Sequence, residues 1–317
     1  MTAISCSSWP LAWIGLEINL IAFIPLMLNK LNPHSSEAAI KYFLIQAFAS
    51  LLVIISRAII SSSSQVPSFT ETWDIIAIAL GVKTGIAPMH IWFPQVIELT
   101  EWIQSLILLT WQKIAPIILI SYTGSVLLMF IIVTSAIIGR AGGFNVSSLK
   151  KILTYSSIAH LAWIASIIGI NEKLWILYFL VYSLISFTII TPLIFINIKT
   201  IVKINLTPSS SATKTTLLIN VLSLAGLPPF LGFTPKVIVI FTLLSLSTVQ
   251  TIIALILISS SVITLFYYLR IFYSSIILFS KFGTLSPSSM KSIKYLNLLT
   301  SLSVSGNLIL VPLVLLS

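Results

Sequence analysis

The chain has 317 residues, of which 57% are hydrophobic and 8% are charged, and its mean hydropathy is +1.10. A soluble domain carries about 25% charged residues, so this composition excludes an ordinary soluble globule and predicts a membrane protein. The net charge of +10 is scattered between apolar runs. Because the basic residues form no patch, the charge argues against nucleic-acid binding and is better interpreted as topology information.

Cysteine and histidine usage excludes several kinds of site. The single cysteine, Cys6, rules out an intrachain disulfide and any all-cysteine zinc or iron–sulfur centre. The three histidines, His34, His90 and His160, lie in different segments and therefore do not form the paired ligands of a membrane haem. The chain has neither a phosphate loop nor a dinucleotide fingerprint, so we predict no metal or cofactor site in it.

Apolar stretches long enough to cross a bilayer recur along the chain, and they predict an all-α, polytopic membrane protein with about ten helices in one domain, residues 1–317. No cleavable leader is recognisable before the first stretch. The predicted spans are residues 10–28, 38–60, 73–89, 103–122, 124–139, 150–170, 174–197, 215–247, 250–279 and 297–316.

Two of these spans contain runs of proline and glycine that cannot remain in one regular helix, at 226–235 and between Lys83 and Pro94. Unwound backbone is tolerated within a membrane only where protein or a water-filled cavity satisfies it, so we expect both breaks to face inward. Paired broken helices predict antiporter-like inverted repeats, at about 10–122 and 124–279, followed by a terminal helix at about 297–316. By this count, the first repeat lacks one helix at its start.

Basic residues are concentrated in the connections that follow odd-numbered spans, whereas the even connections hold Lys173 together with acidic residues. Under the positive-inside rule, the odd connections face the compartment of synthesis and both termini lie on the opposite side. The basic residues assigned to odd connections are Lys30, Lys41, Arg140, Lys150, Lys151, Lys199, Lys203, Lys214, Lys281, Lys291 and Lys294.

Four charged residues, Glu17, Lys83, Lys113 and Lys236, interrupt otherwise apolar spans. Each costs on the order of 2.5 to 3.5 kcal/mol at the bilayer centre, roughly 10 kcal/mol together, so we interpret them as a proton or ion path. A buried Glu–Lys pair suits proton loading, since burial disfavours the ammonium and the carboxylate favours it. The structural alternatives are snorkelling of Glu17 or Lys236 towards the surface, and capping by Lys113 of carbonyls freed by Pro116.

Secondary candidates for proton relay are two histidines and the hydroxyls one turn before the second of them. Imidazole titrates near neutral pH, so His90 and His160 are suited to relay protons, with Tyr155 and Ser156 bridging a water chain. The alternative is structural: a lone histidine is often a hydrogen-bonded packing residue, and hydroxyls in membrane helices commonly bond the preceding turn.

Several long strings together resemble the subunit 2 family of mitochondrial NADH:ubiquinone oxidoreductase (complex I), whose members are antiporter-like membrane subunits. The resemblance spans about residues 10–280. The strings are Gly-Leu-Glu at 15–17, Ser-Glu-Ala-Ala-Ile-Lys-Tyr-Phe-Leu at 36–44, the stretch at 83–94, Leu-Thr-Trp-Gln-Lys-Ile-Ala-Pro at 109–116, Lys-Ile-Leu-Thr-Tyr-Ser-Ser-Ile-Ala-His at 151–160, and the stretch at 226–236.

The resemblance implies a proton pathway in which Glu17 pairs with Lys83, Lys113 bridges two half-channels, and Lys236 leads to the second. It implies a multi-pass inner-membrane subunit with matrix-facing odd connections, other membrane-arm subunits and lipids as partners, and no redox centre of its own. NADH, FMN, iron–sulfur clusters and ubiquinone would belong to other subunits. Family members usually have one more helix before the Glu17 segment, in line with the repeat count. The alternatives are a stand-alone cation/proton antiporter and a structural spacer with an idle axis.

Overall fold

The computed structural model describes residues 2–6, 8–28, 32–62, 69–125, 127–196, 198–201, 211–228 and 230–282. This part of the chain is helical, apart from one isolated antiparallel bridge between Ser148 and Thr200, and the predicted all-α class is confirmed. The helices are α1 (Thr2–Ser5), α2 (Trp9–Met27), α3 (Pro33–Ser62), α4 (Phe69–Thr84), α5 (Trp92–Leu99), α6 (Trp102–Leu109), α7 (Trp111–Ser121), α8 (Leu127–Gly142), α9 (Leu149–Ile167), α10 (Glu172–Ile196), α11 (Ser211–Ala225), α12 (Phe233–Leu244) and α13 (Thr248–Phe282).

Most helices follow the first nine predicted spans, but α1 lies before the first span and α5 occupies the predicted connection between the third and fourth. The tenth span, residues 297–316, lies outside the described residues. Within the described ranges, five segments are long and apolar enough to cross a bilayer on their own. They are Trp9–Met27, Pro33–Ile59, Trp102–Ser121, Glu172–Phe195 and Thr248–Ser274.

Both predicted breaks are present, but they are shorter than expected. One helix ends at Thr84 and the next begins at Trp92; likewise one ends at Ala225 and the next begins at Phe233, so Pro94 and Pro235 lie inside helices. Each proline occupies the first turn of its helix, where the backbone N–H would have no intrahelical partner, and proline is therefore tolerated there. A turn rich in proline does not by itself show where the next helix starts.

A third interruption was not predicted. The stretch at 103–122 was expected to be one helix, yet α6 ends at Leu109 and α7 begins at Trp111. The junction residue Thr110 has φ −118° and ψ −73°, away from helical geometry. Because neither glycine nor proline stands at this junction, the sequence carries no local signal for it.

Helix α9 is the centre of the bundle and packs against α5, α6, α8, α10, α12 and α13. From Leu149 to Ile167 its side chains are buried, except for Lys151 and Tyr155, which are partly exposed. The closest approach is to α8, where a Cβ added to Gly139 would lie 2.7 Å from the backbone nitrogen of Ala159. Small residues at such a crossing allow two membrane helices to pack backbone to backbone.

The outer helices present large apolar side chains to their surroundings, as lipid-facing surface does in a membrane protein. Ile21 on α2, Leu44 on α3, Leu184 on α10 and Leu255 on α13 are each about 60% exposed. Inside the bundle, a large apolar core encloses scattered buried polar groups, six of which lie on α9. The bundle therefore has an apolar exterior as well as an apolar core, as a membrane solvent requires.

The connections between helices gather at two ends of the molecule. At one end, Lys199 after α10 accepts a backbone hydrogen bond from Leu149 at the start of α9, and a single cavity is lined by residues from the connections after the first, third, fifth and seventh predicted spans. At the other end, the backbone N–H of Leu127 donates to Asp74 (3.3 Å), and Arg57 lies over the rings of Trp9 and Trp73. These contacts join odd connections at one end and residues near even connections at the other, and the sidedness of the loops stays a prediction.

Several basic residues assigned to connections lie within helices instead. Lys41 is on the exposed face of α3, where its Nζ pairs with Glu37 at 2.7 Å. The others occupy terminal turns, a position in which lysine still follows the charge rule. They are Arg140 in α8, Lys150 and Lys151 in α9, Lys214 in α11 and Lys281 in α13.

Candidate functional site

Each of the three membrane lysines lies beside a helix interruption. Lys83 is two residues before the break that starts at Gly85, Lys113 follows the Thr110 junction by three residues, and Lys236 is in the first turn of α12 after the second break. All three lysines are buried, with exposures of 7%, 1% and 6%. The structure therefore places the lysines next to freed backbone carbonyls inside the protein, and snorkelling to the surface does not explain them.

At the first break, side chains from elsewhere add hydrogen bonds to carbonyls at the end of α4, where the Val82 carbonyl also accepts from the Gly85 N–H. The indole N–H of Trp92 donates to the carbonyl of Val82 at 3.1 Å, and the amide of Gln46 on α3 donates to the carbonyl of Lys83 at 3.3 Å. Gly85 turns the chain with φ +76°, in the left-handed region that glycine favours. The helix end is thus held by specific partners on α3 and α5.

Glu17 on α2 is close enough to Lys83 to act electrostatically on its charge. The carboxylate and ammonium are not joined as an ion pair within 4.0 Å, and one carboxylate oxygen is buried with no hydrogen-bond partner among the described residues. Nearby, the Asn19 amide donates to Gln112, beside Lys113. Glu17 and Lys83 are thus neighbours without a direct ion pair among the described residues, and their pairing stays a prediction.

Lys113 is enclosed by aromatic rings. Its Nζ lies 4.9 Å from the ring centre of Phe93 and 5.5 Å from that of Tyr182, and it makes no hydrogen bond to any residue that the structure describes. The Tyr182 hydroxyl donates to the carbonyl of Leu109 (3.4 Å), which the interruption at Thr110 leaves free. Tyr182, rather than Lys113, therefore hydrogen-bonds the free carbonyl at this junction. Lys113 makes no hydrogen bond to the described carbonyls near Pro116 that it would cap if its role were structural.

Lys236 holds the second break. Its Nζ donates to the carbonyl of Ala225 at 2.7 Å, and it lies against Gly226, which has φ +81°. A cavity of about 10 Å³, enough for about one water molecule, adjoins the lysine. Besides Lys236, this cavity is lined by Ser156, His160, Trp163, Ser260, Thr264 and Tyr268.

His160 lies between the second and third lysines. Lys113 and Lys236 both act electrostatically on its ring, and its Nδ1 lies 3.0 Å from the hydroxyl of Tyr178. The ring centre of Tyr182 is 5.2 Å away. His160 and Ser156 therefore lie in the group around Lys113 and Lys236, and their role as proton relays stays a prediction.

The other two candidate relay residues lie elsewhere. His90 is partly exposed, with its Nδ1 3.0 Å from the carbonyl of Pro88, and its ring centre is 6.5 Å from that of Tyr155. Pro88, Met89 and Ile91 are exposed in the same turn, so the expectation that this break faces wholly inward is wrong for its outer part. The lysine end of the break is buried, whereas the His90 end lies at the surface.

Sequence reasoning missed the tyrosines on α10. Tyr178 and Tyr182 are four residues apart, so both project from one face of α10 towards His160. The four-residue spacing is visible in the sequence. However, tyrosines in a membrane protein are commonly interface anchors, so the spacing was not interpreted as part of a site. Among the described residues, no group of three or more His, Cys, Asp or Glu is placed to hold a metal ion.

A polytopic helical bundle with interrupted helices and buried lysines defines the class of antiporter-like membrane proteins. The family model described as NADH:quinone oxidoreductase/Mrp antiporter, transmembrane, matches residues 6–264. The NADH-ubiquinone oxidoreductase chain 2 of Anopheles gambiae is 44% identical over 284 residues, covering 86% of this chain and 82% of that one. The Locusta migratoria protein of the same name is 40% identical over 289 residues, covering 87% and 82%. The chain belongs to the NADH-ubiquinone oxidoreductase chain 2 family.

Solved structures show the same fold at lower identity. A chain of respiratory complex I from Thermus thermophilus with bound aureothin aligns with a TM-score of 0.81 and 22% identity, covering 99% of this chain and 75% of that one. A chain of the Mrp complex from Dietzia aligns with a TM-score of 0.71 and 16% identity, covering 89% and 58%. At these identities the likeness concerns the fold.

Proposed function

We propose that this chain is a membrane subunit of mitochondrial complex I, through which protons cross the inner membrane while NADH reduces ubiquinone elsewhere in the complex. Family membership supports the assignment to the complex, because the relatives are named as chain 2 of that enzyme. The match to an antiporter model supports proton transfer as the contribution of this chain. On this proposal its partners are other membrane-arm subunits and lipids, and the redox groups lie in other chains.

The observation that carries the proposal is the environment of Lys113. Its amine is buried, and it lies over two aromatic faces without a hydrogen-bond partner among the described residues. Holding an ammonium there is costly, and intramembrane ionisable groups of this kind mark ion and proton pathways. We infer that Lys113 passes a proton between Lys83, which is near Glu17, and Lys236, with His160 between the last two lysines.

The charge distribution supports one orientation. In the sequence, most of the basic residues outside the spans fall in the odd connections, and Lys150 and Lys199 line the cavity at that end. By the positive-inside rule this end faces the matrix, and both termini face the intermembrane space.

Replacing Lys113 by methionine tests the proton path. Methionine nearly matches the length of the lysine stem, so packing should suffer by less than about 1.5 kcal/mol, but the proton-binding amine is gone. We expect the complex to assemble and proton uptake per NADH oxidised to fall in reconstituted vesicles. Lys113→Arg keeps the charge but cannot release a proton, so it should fail nearly as badly.

Unchanged pumping in both variants would contradict the proposal and favour the structural spacer. If only Lys113→Arg pumps normally, Lys113 is a fixed counter-charge rather than a carrier. A mild-detergent native gel with mass spectrometry distinguishes a complex I subunit from a stand-alone antiporter. A stand-alone antiporter would migrate near 34.8 kDa rather than with redox subunits.

A further inference from the structure

A large open cavity lies at the end of the molecule that holds the odd connections. Its volume is about 660 Å³, which corresponds to about 20 water molecules at the density of the liquid. The wall is formed by the end of α2, the turn between α5 and α6, the start of α9 and the end of α10. Its polar and charged lining residues include His34, Glu98, Glu101, Gln104, Lys150 and Lys199.

Lys150 differs from the lysine beside it. Lys151 is partly exposed and pairs with Glu98 at 2.6 Å, as a surface lysine does. Lys150 is only 4% exposed, its Nζ donates to the carbonyl of Thr100, and it lies 5.3 Å from the ring centre of Trp102. It therefore stands in the inner wall, where the cavity meets the buried face of α9.

Two fully buried hydroxyls continue inward from Lys150 along α9. Thr154 and Ser157 are 0% exposed, and they lie four and seven residues beyond Lys150, so all three residues share one helix face. A rise of 1.5 Å per residue separates them by about 6 and 4.5 Å along the axis, gaps that single water molecules can bridge. Each hydroxyl donates at 2.7 Å to a carbonyl of the preceding turn, which leaves its lone pairs available.

The inner end of this row reaches the lysine site. Tyr182 lies next to Ser157, and the ring of Tyr182 contacts both the Lys113 amine and His160. His160 itself follows Ser157 by three residues on α9. The row therefore begins at the cavity and ends at the two groups that would receive a proton from it.

We propose that Lys150, Thr154 and Ser157, here called the α9 row, form the route by which protons pass between the 660 Å³ cavity and the Lys113–His160 group. The route rests on the proposed function, since it supplies protons to that site. At each hydroxyl, the O–H first rotates from its backbone carbonyl towards a water on the inner side. The oxygen then accepts a proton on a lone pair from a water on the cavity side and releases its original proton to the inner water. Every hydroxyl ends neutral, so no charge is stranded in the row.

The test removes the hydroxyls and leaves the charges alone. Thr154→Val together with Ser157→Ala keeps the side-chain volumes nearly constant. We expect proton uptake by vesicles containing the assembled complex to slow about tenfold, equivalent to ~1.4 kcal/mol. The single variant Thr154→Ser, which keeps a hydroxyl at this position, should pump normally. The matched control is Ser166→Ala, a buried hydroxyl of the same helix beyond His160 with the same 2.7 Å backbone bond.

The outcomes separate the route from the proposed function. Lys113→Met measured in parallel should be defective if the proposed function holds. If the double variant pumps normally while Lys113→Met is defective, the proposal for the α9 row is wrong and the proposed lysine path is retained. Normal pumping by both overturns the proposed function itself. An equal defect in Ser166→Ala would mean that any lost hydroxyl on α9 disturbs packing, and would also overturn the row.

Discussion

Gly226 shows how a single backbone position fixes one of the lysines. Its φ of +81° is favourable for glycine, and a Cβ there would lie 2.7 Å from the Nζ of Lys236 and 3.0 Å from its Cδ. The lysine amine reaches the Ala225 carbonyl only because this volume is empty. The glycine therefore shapes the second break and positions the lysine at the same time.

Gly226→Ala should lower both stability and pumping. The left-handed backbone costs about 1–2 kcal/mol for a residue with a Cβ, and the methyl group displaces the lysine head. When samples are heated before native electrophoresis, we expect the band of the assembled complex to be lost at a lower temperature for the variant than for wild type. The control is Gly81→Ala within α4, where an added Cβ meets nothing within 4 Å and the better helix propensity should be neutral or stabilising. Equal melting of the two variants would contradict this account of Gly226.

At the scale of the helices, each interruption is capped by a side chain that lies elsewhere in the chain. Trp92 and Gln46 cap the end of α4, Tyr182 caps the end of α6, and Lys236 caps the end of α11. Without water in the bilayer core, an uncapped carbonyl would cost as much as an unmade hydrogen bond. The caps are what make interrupted helices stable beside buried charges.

Trp92→Phe tests this capping at the first break. It removes the indole donor to the Val82 carbonyl, which still accepts from the backbone N–H of Gly85 at 3.2 Å. We therefore expect the subunit to be destabilised by about 0.5–1.5 kcal/mol, the net contribution of one hydrogen bond. Trp175→Phe loses a similar volume from a buried site, but its N–H has no partner among the described residues. We expect the midpoint of heat inactivation of NADH oxidation to fall further for Trp92→Phe. Similar midpoints would indicate that lost volume, rather than the hydrogen bond, sets the cost.

At the scale of the whole molecule, the two ends differ in both charge and shape. The end with the odd connections holds the 660 Å³ cavity, whose wall includes Lys150 and Lys199, whereas the other end holds Asp74 and the Arg57–tryptophan cluster. A charge asymmetry of this kind sets orientation at insertion. The cavity end should consequently face the matrix.

Cysteine labelling tests the orientation. In a Cys6→Ser background, Asn145→Cys places a thiol in the exposed connection after α8, and Asn171→Cys places one in the exposed connection after α9. A membrane-impermeant maleimide added to mitoplasts should label Asn171→Cys, and it should label Asn145→Cys only after the membrane is permeabilised. The reverse pattern would invert the proposed topology.

Local composition was enough to predict much of the architecture. The helices were predicted from apolar runs that are too long, and contain too few charged residues, for a soluble fold. Such runs indicate helices because a bilayer requires a minimum length and hydropathy of each span. Proline and glycine next to Lys83 and Lys236 marked two breaks, since those residues act locally on the backbone. The four buried charges were visible because each is expensive in its own segment.

The tertiary structure decided what depends on distant partners. The Thr110 interruption has no local signal, and it is stabilised by Tyr182, which is contributed by α10. The central position of α9, and with it the burial of Lys150, follows from packing on several sides, which hydropathy does not encode. Local propensities act on one segment at a time, whereas a capped carbonyl or an aromatic cage around Lys113 exists only once separate helices meet.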